Sequence, residues 1–149
     1  MKAPSARRLL PIVLAYLPVP MAGAALSVAW DVGASPDGGW RDMFLRGTAL
    51  TPPLFLPVVL VAGSVAARRN GTTGRVGAGV TSVVAAAFLA GSTANLPNDF
   101  AAADAAGTPR RLTAILAAAH ASLAIALLVH SLPTVVRGDR GENGAPAIA

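Results

Sequence analysis

Two histidines, His120 and His130, are the side chains in this sequence whose ordinary pKa of about 6.5 suits proton transfer near neutral pH. His120 stands in the middle of an uncharged stretch, where an ionisable residue is a functional-site candidate by default. Its imidazole fits general acid–base work; the alternative is a histidine that only hydrogen-bonds a neighbouring helix. His130 lies near the end of the same stretch and reads as an interfacial residue. A second polar group is Asn95-Leu96-Pro97-Asn98-Asp99. Asn95 offers both an amide donor and a carbonyl acceptor, Pro97 is expected to end a helix, and Asn98 and Asp99 are turn formers. Thr113 and Phe88 complete the set of substrate-binding candidates, one polar and one apolar.

Other chemistries lack their residues. The absence of cysteine excludes disulfides, thiolate metal sites and dithiol relays. No His or carboxylate pair has metal-ligand spacing, so a metal is not expected. No carboxylate lies inside an uncharged stretch, which argues against a proton-coupled exporter.

The elements that must position His120 follow from where the charges are missing. Of 149 residues 13% are charged and 54% hydrophobic, with a mean hydropathy of +0.58, and soluble domains are about a quarter charged. Four windows hold no Asp, Glu, Lys or Arg: 9–30, 47–67, 76–98 and 112–136. Each exceeds the roughly 20 residues that a helix needs to cross a bilayer core. The expected architecture is all-α, an antiparallel bundle of four transmembrane helices over about 9–30, 48–67, 76–96 and 112–135. These form one domain, 1–136, followed by a disordered cytoplasmic tail, 137–149. The basic residues flank the windows as anchors, so nucleic acid is not an expected partner.

Charge asymmetry sets the orientation. Lys2, Arg7, Arg8, Arg68, Arg69, Arg75, Arg137 and Arg140 fall on one side; Arg41, Arg46, Arg110 and Arg111 fall on the other with five aspartates. The richer side is cytoplasmic, which places both termini inside a cell membrane. The N-terminal stretch also has the outline of a secretory signal ending at Ala22-Gly23-Ala24, but three prolines in 22 uncharged residues fit a retained, kinked helix better.

In the second helix, Pro52 and Pro53 fall in the first turns and Pro57 is expected to kink the chain. In the third, Ala87, Gly91 and Asn95 form a small-residue run suited to close helix packing. His120 should lie about 12 Å below the outer boundary, level with Phe88 or Gly91. Asn95 and Thr113 should sit above it, with Ser27 and Thr51 in the outer halves of the first two helices. These groups would line a cavity opening toward the outer leaflet.

Asn95, Pro97, Asn98 and Asp99, then Arg110 and Arg111, then His120 resemble the pattern of anthrone oxygenase-like four-helix membrane proteins. The likeness covers about residues 90–130. The motif is one residue shorter here, no tryptophan precedes His120, and Leu123 stands where that family often has arginine. The resemblance implies oxidation of a hydrophobic aromatic substrate by oxygen without a tightly bound cofactor. His120 would be the base, and Asn95 would stabilise an enolate oxygen. The expected function is therefore binding of a hydrophobic small molecule, with such an oxidation as the implied chemistry. Alternatives are a non-catalytic membrane scaffold, using the small faces of the third helix to meet a partner protein or a second copy, and, third, a small transporter.

Overall fold

The computed structural model describes residues 4–37 and 39–136. The expected tail at 137–149 lies outside the described residues. Among those described, the chain is helical, and its one β-type pairing is an isolated bridge between Thr48 and Thr51. Three helical stretches are long and apolar enough to cross a membrane: Arg7–Trp30, Gly71–Ala94 and Arg110–Val136. At most 39% of their apolar windows is buried, so most of that surface faces outward, the arrangement a lipid solvent rewards.

The first stretch is two helices, α1 (Pro4–Tyr16) and α2 (Pro18–Trp30), meeting at Leu17. Pro18 and Pro20 have no N–H, so the carbonyls four residues earlier, on Leu14 and Tyr16, lose their helical donors and the axis breaks. Leu17 keeps helical dihedrals and its N–H still reaches Val13, so the chain continues across the break in one direction. Buried residues recur at Leu9, Val13, Tyr16, Pro20, Gly23 and Ser27, three or four apart, one stripe running through both helices.

The expected second span over 48–67 is not one continuous helix. Its helix, α3 (Phe55–Ala67), starts seven residues later than Thr48 and has 13 residues, about 20 Å. Pro52 and Pro53 cannot both be absorbed in a helix interior, and the chain from Gly47 to Leu54 runs instead as a tight turn. Pro57 consequently falls in the first turn of α3, where a missing donor breaks no hydrogen bond, and it produces no kink. A short 3-10 turn, Trp40–Phe44, precedes this segment.

Helix α4 (Gly71–Ala94) and helix α6 (Arg110–Val136) form the most extensive packed pair, and α3 packs along α4. Helix α1 lies against both α3 and α6, so these four pack as a ring. Ser82 on α4 and Ser131 on α6 are hydrogen-bonded at 2.7 Å across that interface. Between α4 and α6, where a turn closed by Pro97 was expected, there is a further helix, α5 (Leu96–Ala105). Pro97 occupies its first turn, so it starts a helix as well as excluding the continuation of α4. Asn95 closes α4 and opens α5.

The closest helix approach is also not where the small-residue run of α4 suggested. It is made by Gly63 on α3 with Gly77 on α4: a Cβ on Gly63 would lie 2.9 Å from Thr81 Oγ1 and 3.2 Å from the Gly77 carbonyl oxygen. A Cβ on Gly91 would meet nothing within 4 Å.

Candidate functional site

The turn at Gly47–Leu54 is the local feature from which the site is built. The Thr48 N–H donates to the Thr51 carbonyl at 2.8 Å, and Ala49 N–H donates to Gly33 at 3.0 Å, fixing the turn to the preceding loop. Gly47 has φ +78°, a left-handed conformation that a side chain would strain. Thr51 Oγ1 donates to the Pro20 carbonyl at 3.1 Å, which ties the turn to α2. Leu50 is buried, and its carbonyl approaches Gly23 so closely that any Cβ there would collide with it. Gly23 is seven residues from the C-terminal end of α2, so the turn reaches about 10 Å down the bundle. Non-helical backbone at that depth is tolerated where protein covers it or where it lines a cavity.

Here it does both. Beneath and beside the turn is a cavity of about 390 Å³, within the range of roughly 300–1,000 Å³ typical of small-molecule sites. Thr48, Thr51, Pro52, Pro53 and Leu56 form one wall; Ala87, Phe88, Gly91, Ser92 and Asn95 of α4 form the facing wall. Ala117 and His120 of α6 contribute from the side, and Asn98, Asp99 and Arg46 also border it. Of the four residues singled out from sequence, His120, Asn95 and Phe88 thus border one space. Thr113 does not: it is fully buried, two helical turns above His120, and its hydroxyl has no partner. Ser27 is also away from the cavity, bonded to the Gly23 carbonyl and to Thr48 Oγ1.

His120 belongs to the buried stripe of α6, with Thr113, Leu116, Leu123, Leu127 and Ser131. Its Nδ1 is hydrogen-bonded to the Tyr16 hydroxyl, and the two rings meet edge to face with centroids 5.5 Å apart. Its Nε2 is buried and makes no hydrogen bond of good geometry, although the Leu50 main chain lies beside the ring. A neutral imidazole has one donor and one acceptor nitrogen, so Tyr16, by taking one of them, decides what the other can do. If Nδ1–H donates to the phenol oxygen, Nε2 is a free base; if the phenol donates, Nε2–H is a donor. Either way Nε2 is left without a partner inside the protein, shielded by the Leu50 main chain, while other atoms of His120 border the cavity.

No protein-family model matches this chain, nor does any curated protein or solved structure. What the site can do rests on its own geometry.

Tyr16 is the residue that the sequence reasoning missed. It is the single tyrosine of the chain, and the 9–13–16–20–23–27 spacing put it on the inward stripe of the first span. His130, by contrast, shares its Nδ1 with the Ala126 carbonyl of its own helix at 2.8 Å and takes no part in the cavity. At the rim, partial burial pushes the Asp99 carboxyl up to about 6. Farther along α5, Asp104 is held below the usual carboxylate range by its forked hydrogen bonds with the Arg110 guanidinium, at 2.6–3.0 Å. Among the described residues no three His, Cys, Asp or Glu side chains are grouped to hold a metal ion.

Proposed function

We propose that this chain is a multi-pass membrane protein that binds a hydrophobic small molecule beside His120, and that His120 exchanges a proton with it. One observation carries the reading: His120, tied to Tyr16 through Nδ1 and with its Nε2 unpartnered, borders a cavity lined by apolar side chains and by the polar groups of Thr48, Thr51, Ser92 and Asn95. A buried polar atom without a partner costs about 1–3 kcal/mol, so a small shift that turned Nε2 to the cavity would let a ligand offset that cost.

The membrane arrangement proposed is a four-span antiparallel bundle with both termini cytoplasmic. The ring of contacts among α1, α3, α4 and α6 supports four spans, and the excess of basic residues at one end supports the orientation. The short α3 is completed as a span by the protein-covered turn before it.

The chemistry suggested by the resemblance to anthrone oxygenase-like proteins is proton abstraction followed by oxidation. His120 would take a proton from an acidic CH2 group, the carbanion would add dioxygen, and loss of water from the hydroperoxide would leave a carbonyl, so that CH2 and O2 become C=O and H2O. Asn95, at the rim, would donate to the oxygen that carries the enolate charge. The small-residue run of α4 borders the cavity, which favours the binding reading over a scaffold.

The test is mass spectrometry of small molecules extracted from the purified protein, wild type beside His120→Ala, in matched detergent and with folding checked. A compound enriched over bulk membrane lipid in the wild type and lost from the variant is the expected result. Bulk lipid alone, in equal proportions in both samples, would sink the binding reading.

A further inference from the structure

The hairpin of α3 and α4 is tight at one end and open at the other. Near the connecting turn, Gly63 and Gly77 bring the two backbones into contact. Toward the far ends Ala87 and Gly91 present almost no side chain, and the space a Gly91 Cβ would enter is open. The opposing edge is Pro53 and Leu56, because α3 has only just begun there. Ala87 borders the cavity and is itself exposed, so the cavity is open beside it, at the edge between these two helices. It lies seven residues inside the end of α4, about 10 Å along the axis, and Val83, one turn deeper, is 69% exposed on an apolar surface. In a hydrocarbon core about 30 Å thick, that opening faces lipid rather than water.

We propose that the cavity is entered sideways from the outer leaflet, between the outer ends of α3 and α4, by the apolar chain of a membrane amphiphile whose polar head stays at the rim. This rests on the reading of the cavity as a binding site, not on proton exchange at His120, and names the class of molecule. Pro53, Leu56 and Phe88 form an apolar passage, while the hydrogen-bonding groups of Asn95, Asn98 and Asp99 sit at the headgroup side. At about 390 Å³ the space takes one chain or one ring system and not a whole phospholipid.

The experiment uses the full chain in phosphatidylcholine vesicles containing a small fraction of phosphatidylcholine with a diazirine midway along one acyl chain. After irradiation, adducts are mapped by peptide mass spectrometry. Adducts are expected on the cavity residues Leu56, Phe88 or Ala117, as well as on outward-facing Val83 and Val129. Gly91→Phe should remove the cavity adducts and keep the outward ones, which report a folded, inserted protein. If Gly91→Phe does not reconstitute, Ala87→Leu narrows the same opening and is read in the same way. Adducts on outward residues alone, or cavity adducts that persist in the narrowed variant, overturn the proposal. A water-soluble diazirine that labels the cavity residues when the lipid probe does not would also overturn it, while a co-purifying ligand lost in His120→Ala would leave the binding reading standing.

Discussion

Tyr16 and His120 lie 104 positions apart in sequence and are joined through the phenol hydroxyl and Nδ1 in the interior of the bundle. The bond spans α1 and α6, and it leaves Nε2 as the nitrogen of His120 without a partner. Tyr16→Phe keeps the ring and its packing but strands Nδ1. The expected cost is about 1–3 kcal/mol of stability, read from thermal or denaturant unfolding in detergent. Combined with His120→Gln in a double-mutant cycle, the two changes should be non-additive by about 0.5–3 kcal/mol. Additive costs would mean that the two side chains do not act as a pair.

Glycine substitutions along α4 should separate packing from cavity wall. Gly77→Leu has to push against the backbones of Ala67 and Gly63, and it should prevent folding or lower the melting temperature sharply. Gly91→Leu enters open space, should leave the melting temperature near that of the wild type, and should reduce ligand retention. Equal destabilisation by both would place a helix contact at Gly91.

Asp99 gives stability a pH dependence of defined sign. Its folded pKa, about 6, is above the ordinary carboxylate value of about 3.9, because partial burial disfavours the charged form. The unfolded chain therefore ionises first as pH rises, and the contribution of Asp99 to stability is complete below about pH 3.9 and lost as pH rises through about 6. Melting temperatures between pH 4 and 7.5 should fall more steeply for the wild type than for Asp99→Asn. Parallel profiles would contradict the assignment.

The Ser82–Ser131 bond is the polar link between α4 and α6 at the end of the bundle away from the cavity. Ser82→Ala with Ser131→Ala should show a coupling of about 0.6 kcal/mol, the average for hydrogen bonds between membrane helices, and should leave ligand retention unchanged.

The sequence by itself determined the solvent this chain is built for. Four uncharged windows flanked by arginine clusters leave too little charge for a water-facing surface, and helix is the open-chain structure that satisfies its own backbone in lipid. It also made His120 stand out, because a lone imidazole within such a window is expensive unless it has a use or a partner. Its partner was not named in advance, although the seven-residue repeat Leu9–Tyr16–Gly23 carried the information that Tyr16 faces inward. Helix starts were the weakest part, since Pro52, Pro53, Pro57 and Pro97 each permit a helix to begin as readily as they forbid one to continue. Only the tertiary structure decided that Leu50 dips against Gly23, that α3 starts late, and that Ala87 and Gly91 border a space instead of another helix. The physical reason is that a cavity is a property of what fails to meet across several helices. Periodicity along one helix fixes which face turns inward, but not how far away the neighbouring backbone stops.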